Sequence, residues 1–238
     1  MIRLSIYDMD KTITRRATFG PFLAYAVPRH RPWRLLLSPL LLASSLAYGA
    51  RAIDRAQLKQ LNTALMLGRR MDPARIDRLA RGFAARTLSR NLLQRALEQI
   101  SEDHREGRRA VLATASYGFY VREIAALLNV DDVVSTAVSQ RGDHLSPRIA
   151  GENCYGEAKL AMIRRWMAEQ GLKREDCHIR FYSDHVSDAP ALEWADEAYA
   201  TNPHAPLRRL ARARGWTILD WRKEAASAAA QRQASRSA

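Results

Sequence analysis

The sequence predicts an α/β protein in which helices cover both faces of a mainly parallel sheet and an all-helical domain is inserted. Two observations lead to this prediction. Strand-like and helix-like segments alternate from residue 101 onward, which is typical of a parallel sheet. Between residues 17 and 100 the apolar residues recur at helical spacing instead. With 238 residues, 47% of them hydrophobic, the chain is large enough to bury a substantial core.

The first predicted element is a buried strand over residues 2–8, where apolar, β-branched and aromatic residues alternate with polar ones up to Asp8. The helical insertion follows. Within it, Asp72-Pro73 is typical of an N-cap and the first position of a helix. Its apolar positions at helical spacing include Leu58, Leu61, Leu65, Ile76, Leu79 and Phe83.

The segments after the insertion predict strands at 109–114, 133–138, 179–183, 198–201 and 216–219, and helices at 117–128, 157–171, 190–195 and 207–215. A polar excursion through Gly142 and Pro147 lies between the second of these strands and the next helix. We therefore assign residues 1–16 and 101–221 to an α/β core and residues 17–100 to a helical cap. Residues 222–238 are low in complexity and are expected to form a flexible C-terminal tail.

Most of the positive charge lies in the predicted cap. The formal net charge is +13, and residues 14–100 hold 16 Lys or Arg against four Asp or Glu, a net +12. Such an excess indicates nucleic acid or another anionic surface as a partner of this module. Cys154 and Cys177 are far apart and fit no zinc-site spacing, so we expect free thiols in a reducing compartment. Residues 1–8 lack the pattern of a secretory signal, so we expect a cytoplasmic protein.

Two carboxylates, Asp8 and Asp10, follow the first predicted strand. Asp8 could attack the phosphorus of a phosphoryl group, while Asp10 could protonate the leaving oxygen and later activate water. An acidic pair in a turn is common, so this motif is weak by itself. Thr114, Ala115 and Ser116 close the next strand, where a hydroxyl and backbone N–H groups can bind a phosphate oxygen or cap the following helix.

Two further features fall at predicted strand or helix ends, where an open α/β sheet binds its ligands. Lys159, early in the helix after Gly156, could neutralise charge on Asp8 and on phosphoryl oxygens, although most single lysines are merely solvated. Asp184 and Asp188 directly follow the strand at 179–183. Their carboxylates suit an oxygen-rich Mg²⁺ site, or they belong to a surface turn.

Together, Asp8-Met9-Asp10-Lys11-Thr12, Thr114, Lys159 and Ser183-Asp184-His185-Val186-Ser187-Asp188 resemble the four signature motifs of the haloacid dehalogenase superfamily of phosphatases. The motifs occur in order and span the chain from Asp8 to Asp188. The resemblance implies a Rossmann-like core, in which Asp8 is the nucleophile that forms a phosphoaspartyl intermediate and Asp10 is the general acid and base.

The same resemblance implies that Thr114, Ala115 and Lys159 hold the phosphoryl group. It also implies a Mg²⁺ site made by Asp8, the carbonyl of Asp10 and Asp184, with Asp188 steadying the water shell of the metal. A carboxylate and a phosphate ester repel each other, so attack needs cations between them, and Mg²⁺ with Lys159 would supply them.

The insertion between the first two motifs resembles the helical cap of the phosphoserine-phosphatase-like branch, which shields the aspartyl phosphate and selects the substrate. That branch carries a glutamate nine residues after the nucleophile to hold an ammonium group, and Ala17 occupies this position here, preceded by Arg15 and Arg16. A substrate with an ammonium group, such as phosphoserine, is therefore disfavoured, and an additional anionic group is favoured. Arg15, Arg16 and Phe19 are the candidate substrate-binding residues of the cap.

Residues 35–50 form a run of sixteen residues without a charge. A membrane-spanning helix needs ~20 apolar residues, and this run is shorter and contains Ser38, Pro39, Ser44 and Ser45. Two interpretations remain open: a buried cap helix, or an interfacial segment that binds acidic lipid. Trp33 and the basic flanks favour membrane contact.

A second resemblance concerns Phe19-Gly20-Pro21-Phe22-Leu23, the leucine-rich run, and Asn153-Cys154-Tyr155-Gly156 before Glu157-Ala158-Lys159. This layout is similar to that of the phosphatidylglycerophosphatase C family, which removes the terminal phosphate of phosphatidylglycerophosphate at the inner face of the bacterial membrane. The resemblance implies a lipid headgroup phosphate as the substrate and peripheral contact with an anionic membrane.

Other functions stay open. The chain could be a soluble phosphatase of small metabolites, with a cap that is basic for solubility or for a doubly charged substrate. A nucleic-acid-binding protein on an inactive core is disfavoured because the cap has few aromatic residues and every catalytic side chain is retained. A phosphotransferase or a dehalogenase could use the same core, but a dehalogenase has no need of Asp10. We expect His185 to line the entrance of the site or cap a turn, and His30, His178 and His204 to lie on the surface.

Overall fold

The computed structural model describes residues 1–222, and a seven-stranded sheet forms the centre of this part of the chain. The sheet order is β4-β3-β2-β1-β5-β6-β7, and all neighbouring strands pair in parallel except β3 and β4, which are antiparallel. The strands are β1 (Ile2–Tyr7), β2 (Arg109–Tyr117), β3 (Asp132–Arg141), β4 (His144–Ala150), β5 (Cys177–Ser183), β6 (Glu197–Thr201) and β7 (Thr217–Leu219). The predicted mainly parallel α/β fold is confirmed. The predicted tail, apart from Arg222, lies outside the described residues.

Strand β1 lies at the centre of the sheet, paired with β2 on one side and β5 on the other. Successive strand residues point to opposite faces, and here both faces are covered. Leu4 and Ile6 of β1 pack in one hydrophobic cluster, whereas Tyr7 packs in the cluster on the other face, next to Tyr182. Because both faces of β1 are buried, a charged side chain is accommodated only where the strand ends, at the edge of the sheet formed by the carboxyl ends of the strands.

Nine helices surround the described sheet or form the segment between β1 and β2. The first five are α1 (Phe19–His30), α2 (Ser38–Gly49), α3 (Arg55–Leu67), α4 (Pro73–Arg90) and α5 (Gln94–Arg105). The other four are α6 (Gly118–Leu127), α7 (Glu157–Glu169), α8 (Ala189–Trp194) and α9 (Ala205–Arg214). A 3₁₀ turn, Pro32–Leu37, joins α1 to α2.

The predicted start of a helix at Asp72-Pro73 is confirmed, because the Asp72 side chain accepts a hydrogen bond from the N–H of Arg75 at the start of α4. The predicted apolar face of α4 is buried. Helix α3 differs from the prediction. Its buried residues are Lys59, Thr63, Met66 and Leu67, while Leu61 is exposed. Leu58 and Leu65 are half-buried, so the buried face of α3 is rotated away from Leu61 and only partly overlaps the predicted stripe.

The polar excursion after β3 is a further strand, which the sequence analysis missed. Arg141 pairs with His144, so Gly142 and Asp143 form a two-residue turn, with Gly142 at φ 58°. Strand β4 lies at the edge of the sheet, and among the described residues its outer side pairs only at Leu145, through an isolated bridge to Met71. Pro147 is tolerated there because an edge strand does not need every backbone N–H as a ladder donor. Because this edge strand contains polar residues and a proline, the alternation of apolar and polar residues that marks a strand is not evident in its sequence.

The interpretation of residues 35–50 as a buried cap helix is wrong. No residue of Pro32–Leu37 is buried, and Ser44 is the buried residue of α2. Leu36, Leu42 and Leu46 are 81%, 65% and 66% exposed. Within residues 1–222, none of the helices combines the length and the apolar character that crossing a bilayer requires.

Two other expectations concern single residues. Cys154 and Cys177 are free and buried, so the prediction of free thiols is confirmed. His30 is not a surface residue. It is 7% exposed, and its Nε2 lies 3.2 Å from the carbonyl oxygen of Leu67. The end of α1 is thereby linked to the end of α3.

Candidate active site

The centre of the site is the turn that follows β1. The N–H of Asp8 donates to the carbonyl oxygen of Tyr182 at 2.8 Å, so Asp8 extends the pairing of β1 with β5 to the carboxyl edge of the sheet. The turn needs a left-handed residue at Lys11, with φ 66°. Asn202 stabilises this turn, because its Nδ2 donates to the carbonyl oxygens of Lys11 and Thr12, both at 3.2 Å. Asn202 was not predicted from the sequence, although it directly follows β6 at the same edge.

Asp8 belongs to a buried ionic network. The Nζ of Lys159, on α7, donates to Asp8 Oδ1 at 2.8 Å and to Asp188 Oδ2 at 2.6 Å. Ser183 Oγ also donates to Asp188 Oδ2, at 2.7 Å. Lys159 is 2% exposed, so its charge is balanced by these two carboxylates rather than by water. Lys159 thus holds a positive charge against the carboxylate of Asp8.

Asp10 is held beside Asp8 by three hydrogen bonds. The N–H and the Oγ1 of Thr18 donate to Asp10 Oδ1 at 2.9 and 2.8 Å, and Ser116 Oγ donates to Oδ2 at 2.9 Å. Burial raises the pKa of Asp10, and these hydrogen bonds from Thr18 and Ser116 offset part of the effect. A raised pKa suits a group that must donate a proton. The contact between Thr18 and Asp10 joins residues eight apart across an irregular turn, so no sequence pattern signalled it.

The segment Thr114–Ser116 closes the site on the side of β2. Thr114 is 1% exposed, and its Oγ1 accepts a hydrogen bond from the N–H of Ser116 at 3.1 Å. The pairing of β2 with β3 is irregular between Thr114 and Tyr117, so the chain bends there. The carbonyl oxygen of Ala115 accepts from Thr136 Oγ1 at 2.9 Å, which ties this segment to β3.

The donor set of the predicted Mg²⁺ site fits a hard divalent cation. Burial, and then the charge of Asp8, raises the pKa of Asp184 to about 7. Burial raises the pKa of Asp8 to about 6, although Lys159 opposes it. Asp188 Oδ1 is buried without a hydrogen-bond partner. Three buried carboxylates face one buried ammonium, that of Lys159, while the Lys11 ammonium at the same cavity is exposed and screened by solvent. The excess of buried negative charge is one that a divalent cation would neutralise.

Side chains alone do not complete such a site. Within residues 1–222 no group of three or more His, Cys, Asp or Glu residues is arranged to hold a metal ion. The predicted set is consistent with this finding, since it consists of two carboxylates, Asp8 and Asp184, and the backbone carbonyl of Asp10. Water molecules would fill the remaining positions, as is usual for Mg²⁺.

Two histidines lie beside Asp184. The Nδ1 of His185 accepts a hydrogen bond from the N–H of Ser187 at 3.2 Å, so His185 caps a turn, as predicted. The ring of His204 stacks on that of His185 at 4.2 Å, and its Nδ1 lies 2.9 Å from the carbonyl oxygen of Asp184. His204 is therefore a half-buried residue that supports Asp184 and His185, and not an ordinary surface residue. His178, also predicted to be a surface residue, is partly covered and contacts Arg108 and Glu197.

The site opens into two adjoining cavities. The first, of about 160 Å³, is lined by residues that the sequence predicted for the site and by further residues. The predicted ones are Asp8, Asp10, Thr114, Ala115, Lys159, Asp184 and Asp188. The others are Lys11, Ala17, Arg55, Tyr155, His185 and Ser187. The second, of about 300 Å³, shares Asp10, Ala17, Arg55 and Ala115 with the first and extends under the helices of residues 17–100. The structure thus brings all seven predicted core residues to one cleft.

The three candidate substrate residues of the cap have different positions. Phe19 lines the second cavity. Arg15 and Arg16 are not among the described residues that line either cavity. The Nε of Arg15 donates to the carbonyl oxygen of Leu92 at 3.1 Å, and the N–H of Arg16 donates to Asn91. The cationic residues that do line the second cavity are Arg55 and Lys59, on α3, and the sequence analysis assigned neither to the site.

Comparison with protein families gives one match that covers most of the chain. Residues 6–193 match the haloacid dehalogenase-like hydrolases. This range includes every residue of the cleft and the helices between β1 and β2.

Two curated relatives illustrate the similarity. A protein of Streptomyces azureus named "Inhibition of morphological differentiation protein" is 36% identical over 128 residues, which are 54% of this chain and 46% of that protein. A probable phosphatase of Mycobacterium tuberculosis is 28% identical over 222 residues, 91% of this chain and 75% of that protein. The chain therefore spans about half the length of the first relative and three quarters of the second.

Two solved structures share the fold. A protein of unknown function from Bordetella pertussis superposes with a TM-score of 0.83 and 24% identity, over 93% of this chain and 99% of that one. A phosphoserine phosphatase, solved as an analogue of its phospho-aspartyl intermediate, superposes with a TM-score of 0.59 and 15% identity, over 92% of each chain. At these identities the likeness concerns the fold. Together with the relative named a phosphatase, the comparisons support the predicted class of phosphoric monoester hydrolase.

Proposed function

This chain belongs to the haloacid dehalogenase-like hydrolases, and we propose that it is a Mg²⁺-dependent phosphomonoester hydrolase that works through a phosphoaspartyl intermediate on Asp8. One observation carries the proposal. The Asp8 carboxylate lies 2.8 Å from the ammonium of Lys159, in a cleft that Asp10, Thr114 and Asp184 also line. A nucleophile, a proton donor, a hydroxyl donor and a further carboxylate therefore surround one small cavity.

In the first step, a carboxylate oxygen of Asp8 forms a bond to phosphorus while the bond from phosphorus to the alcohol oxygen breaks. Asp10 gives its proton to that oxygen, and the alcohol leaves. In the second step, Asp10, now ionised, takes a proton from a water molecule that attacks phosphorus. The bond to Asp8 breaks, inorganic phosphate is released, and both carboxyl groups return to their starting states.

The buried cations and donors of the site assist both steps. Lys159 stabilises the negative charge on the phosphoryl oxygens that face it, and Thr114 and the N–H of Ala115 would bind the same group. Thr18 and Ser116 hold Asp10 in one orientation, at the boundary that the two cavities share. Asp8, Asp184 and the carbonyl of Asp10 would hold Mg²⁺, with Asp188 ordering its waters. A divalent cation held by these residues would supply positive charge that offsets the repulsion between the Asp8 carboxylate and the phosphate.

The substrate that we propose is a lipid headgroup phosphate such as phosphatidylglycerophosphate. The support comes from an exposed apolar surface on the cap, formed by Trp33, Leu35, Leu36, Leu40, Leu42, Leu46 and Tyr48. Seven of the twelve exposed large hydrophobic residues within residues 1–222 lie in this short segment. A patch of this kind, next to basic residues, is typical of a surface that contacts a membrane or a partner.

The charges around the apolar surface favour an anionic lipid surface. Arg29, Arg31 and Arg51 flank it and are exposed. Each basic residue near an anionic membrane contributes about 1 kcal/mol of binding, and each leucine fully buried in the interface contributes about 1.5–3 kcal/mol. Insertion of Leu36 and Leu42 together with these arginines would therefore bind the protein reversibly to the membrane.

A soluble phosphatase of small metabolites is the second candidate. It is favoured by the limited volume of the second cavity, about 300 Å³, which suits a small alcohol. Phosphoserine itself is disfavoured, because Ala17, which lines both cavities, provides no carboxylate for an ammonium group. The two candidates share the chemistry at Asp8 and differ in what carries the phosphate.

The phosphatase chemistry is tested by Asp8→Asn, with phosphate release measured over a panel of lipid and soluble phosphomonoesters in the presence of Mg²⁺. We expect the rate to fall by at least about 10⁴-fold on every substrate that the unaltered protein accepts, with the thermal transition retained. Substantial turnover by a folded Asp8→Asn protein would reject the mechanism.

The membrane contact is tested by co-sedimentation with vesicles of phosphatidylcholine and phosphatidylglycerol. A Leu36→Glu/Leu42→Glu protein should sediment less than the unaltered chain, and high salt should release part of the latter. A matched control is Leu88→Glu/Leu127→Glu, which changes two leucines that are 39% and 49% exposed outside this surface. Equal sedimentation of the two altered proteins, or turnover of soluble substrates alone without vesicle binding, would reject the lipid candidate.

A further inference from the structure

Two cationic side chains on one face of α3 line the second cavity. Arg55 and Lys59 are four residues apart, so they lie one above the other on the helix. The cavity adjoins the cleft at Asp10, the residue that would protonate the leaving alcohol. If the phosphoryl group lies in the smaller cavity beside Asp8 and Lys159, the group released from phosphorus extends into this second cavity, next to Arg55 and Lys59.

Lys59 is an unusual residue for a cap helix because it is almost completely buried. It is 8% exposed, and its Nζ donates to Asn153 Oδ1 at 3.0 Å and to the carbonyl oxygen of Ala115. The ammonium also lies 4.2 Å from the centre of the Tyr117 ring. These partners are neutral. No carboxylate within residues 1–222 forms an ion pair with Lys59, so dipoles and the Tyr117 ring contact its charge and Asp10 attracts it from a longer distance.

Arg55 is placed differently but also lacks an ionic partner among the described residues. It is exposed at the mouth of both cavities, and its guanidinium lies 4.4 Å from the centre of the Tyr155 ring. A guanidinium on an aromatic face keeps its donors free for a carboxylate or phosphate. Its position at the shared boundary lets it reach a ligand in either cavity.

The charge balance of the cavity favours an anion. Asp10 is the acidic residue among the described residues that line it, and both of its oxygens are occupied by Thr18 and Ser116. Arg55 and Lys59 outnumber it, and the imbalance grows when Asp10 holds the proton that it donates. Burial, and then repulsion from Arg55, lowers the pKa of Lys59 to about 7, so a bound anion would relieve an unfavourable charge.

We propose that Arg55 and Lys59 bind a second anionic group carried by the leaving alcohol, so that the preferred substrates are phosphomonoesters whose alcohol bears a phosphate, phosphodiester or carboxylate. This inference rests on the proposed phosphatase function and names its substrate class. Phosphatidylglycerophosphate belongs to the class through its phosphodiester, and so do small soluble bisphosphates. The shared recognition element is an anion a few bonds from the leaving oxygen.

The test compares two substrates that differ in this anion alone, propane-1,3-diol bisphosphate and propane-1,3-diol monophosphate. After correction for the two equivalent phosphates, we expect kcat/KM to be on the order of ten- to a hundred-fold higher for the bisphosphate, the range of one or two charge-assisted hydrogen bonds. A parallel arm uses phosphatidylglycerophosphate in detergent micelles to show whether the lipid source of the anion is also accepted.

Lys59→Met and Arg55→Met should each reduce this ratio by about tenfold or more, mainly through KM for the bisphosphate. Lys59→Arg should restore part of it. The matched control is Lys173→Met, which removes an exposed lysine distant in sequence from the cavity and should keep the full ratio. Because Arg55 is exposed, Arg55→Met tests the inference even if the buried substitution impairs folding.

The outcomes separate this inference from the proposed function. Turnover that depends on Asp8 but shows no preference for the bisphosphate would overturn the inference and leave the phosphatase chemistry intact. An equal loss on both substrates in Lys59→Met, with the ratio unchanged in Arg55→Met, would also overturn it, because Lys59 would then only support Ala115. Turnover that persists in Asp8→Asn would reject the proposed function itself.

Discussion

Replacement of Lys59 by methionine should stabilise the folded protein at neutral pH, although it removes two hydrogen bonds. The side chain is buried, and burial together with Arg55 lowers its pKa from 10.5 to about 7. A lowering of this size corresponds to about 5 kcal/mol of unfavourable free energy when the group is charged, at 1.36 kcal/mol per pH unit. Methionine has a similar length and needs no solvation.

The loss of the hydrogen bonds offsets part of this gain. Ala115 and Asn153 each lose the Lys59 ammonium as a donor, although Thr136 Oγ1 remains within hydrogen-bond distance of both acceptors. An acceptor left without a partner costs about 1–3 kcal/mol. We therefore expect the free energy of unfolding of Lys59→Met to exceed that of the unaltered protein by about 2–4 kcal/mol at pH 7.

The pH dependence of this difference is the sharper test. The unfolded chain keeps the lysine proton up to about pH 10.5, whereas the folded chain loses it near pH 7. Between these values the unfolded state binds more protons, so the stability of the unaltered protein rises with pH. The advantage of Lys59→Met should be complete below pH 7 and should shrink by about 1.4 kcal/mol per pH unit above it.

Chemical denaturation at pH 6, 7, 8 and 9, with EDTA and without phosphate, measures this difference. Lys173→Met is the control, since Lys173 is exposed and its removal should leave the pH profile of the unaltered protein in place. A difference between Lys59→Met and the unaltered protein that stays constant from pH 7 to pH 9 would refute the reasoning. Lys59 would then be charged throughout and adequately solvated by its partners.

Three further predictions concern the proton donor, the metal and the ionic network at the other edge of the sheet. Asp10→Asn should slow the release of an alkyl alcohol by about 10²–10⁴-fold. p-Nitrophenyl phosphate should instead give a burst of phenolate followed by slow turnover, because the second step still lacks its base. An unaltered steady-state rate would contradict this role of Asp10. EDTA should abolish turnover, and added Mg²⁺ should restore it. Mg²⁺ should also raise the melting temperature of the unaltered protein but not that of Asp184→Asn. Full activity in EDTA would contradict the metal site. Arg180 contacts Asp103, Glu106 and Glu197. Burial by itself would raise the pKa of Glu197, but hydrogen bonds from Tyr199 and Arg180 outweigh it and lower the value. This stabilisation is present above the unfolded pKa of 4.5 and is lost as the pH falls from there through the lower pKa of the folded state. Arg180→Met should therefore lower the melting temperature more at pH 7 than at pH 3.5, and an equal decrease at both pH values would contradict the role of the network.

The sequence was sufficient for the parallel strands of the sheet and for the acidic and hydroxyl residues at its carboxyl edge, although it did not reveal β4 or Asn202. Strands buried on both faces are short apolar runs, and a polar residue such as Asp8 or Asp184 at the end of such a run must lie at the edge of the sheet. Since β1, β2 and β5 are neighbours and parallel, these ends meet. Asp8, Thr114 and Asp184 lie in one cleft because each of them is a polar residue at the end of one of these three buried strands.

The helical segment was less predictable, because periodicity indicates which residues share a face but not what covers that face. On α3 the leucines mark an apolar stripe, yet the buried face carries Lys59, and the leucine-rich α2 lies on the surface. Arg15 contacts Leu92, and His204 lies next to Asp184, through pairings of residues far apart in the chain. Spacing within an element is a property of the local backbone, whereas burial depends on which distant elements pack against it, and only the tertiary structure decides that.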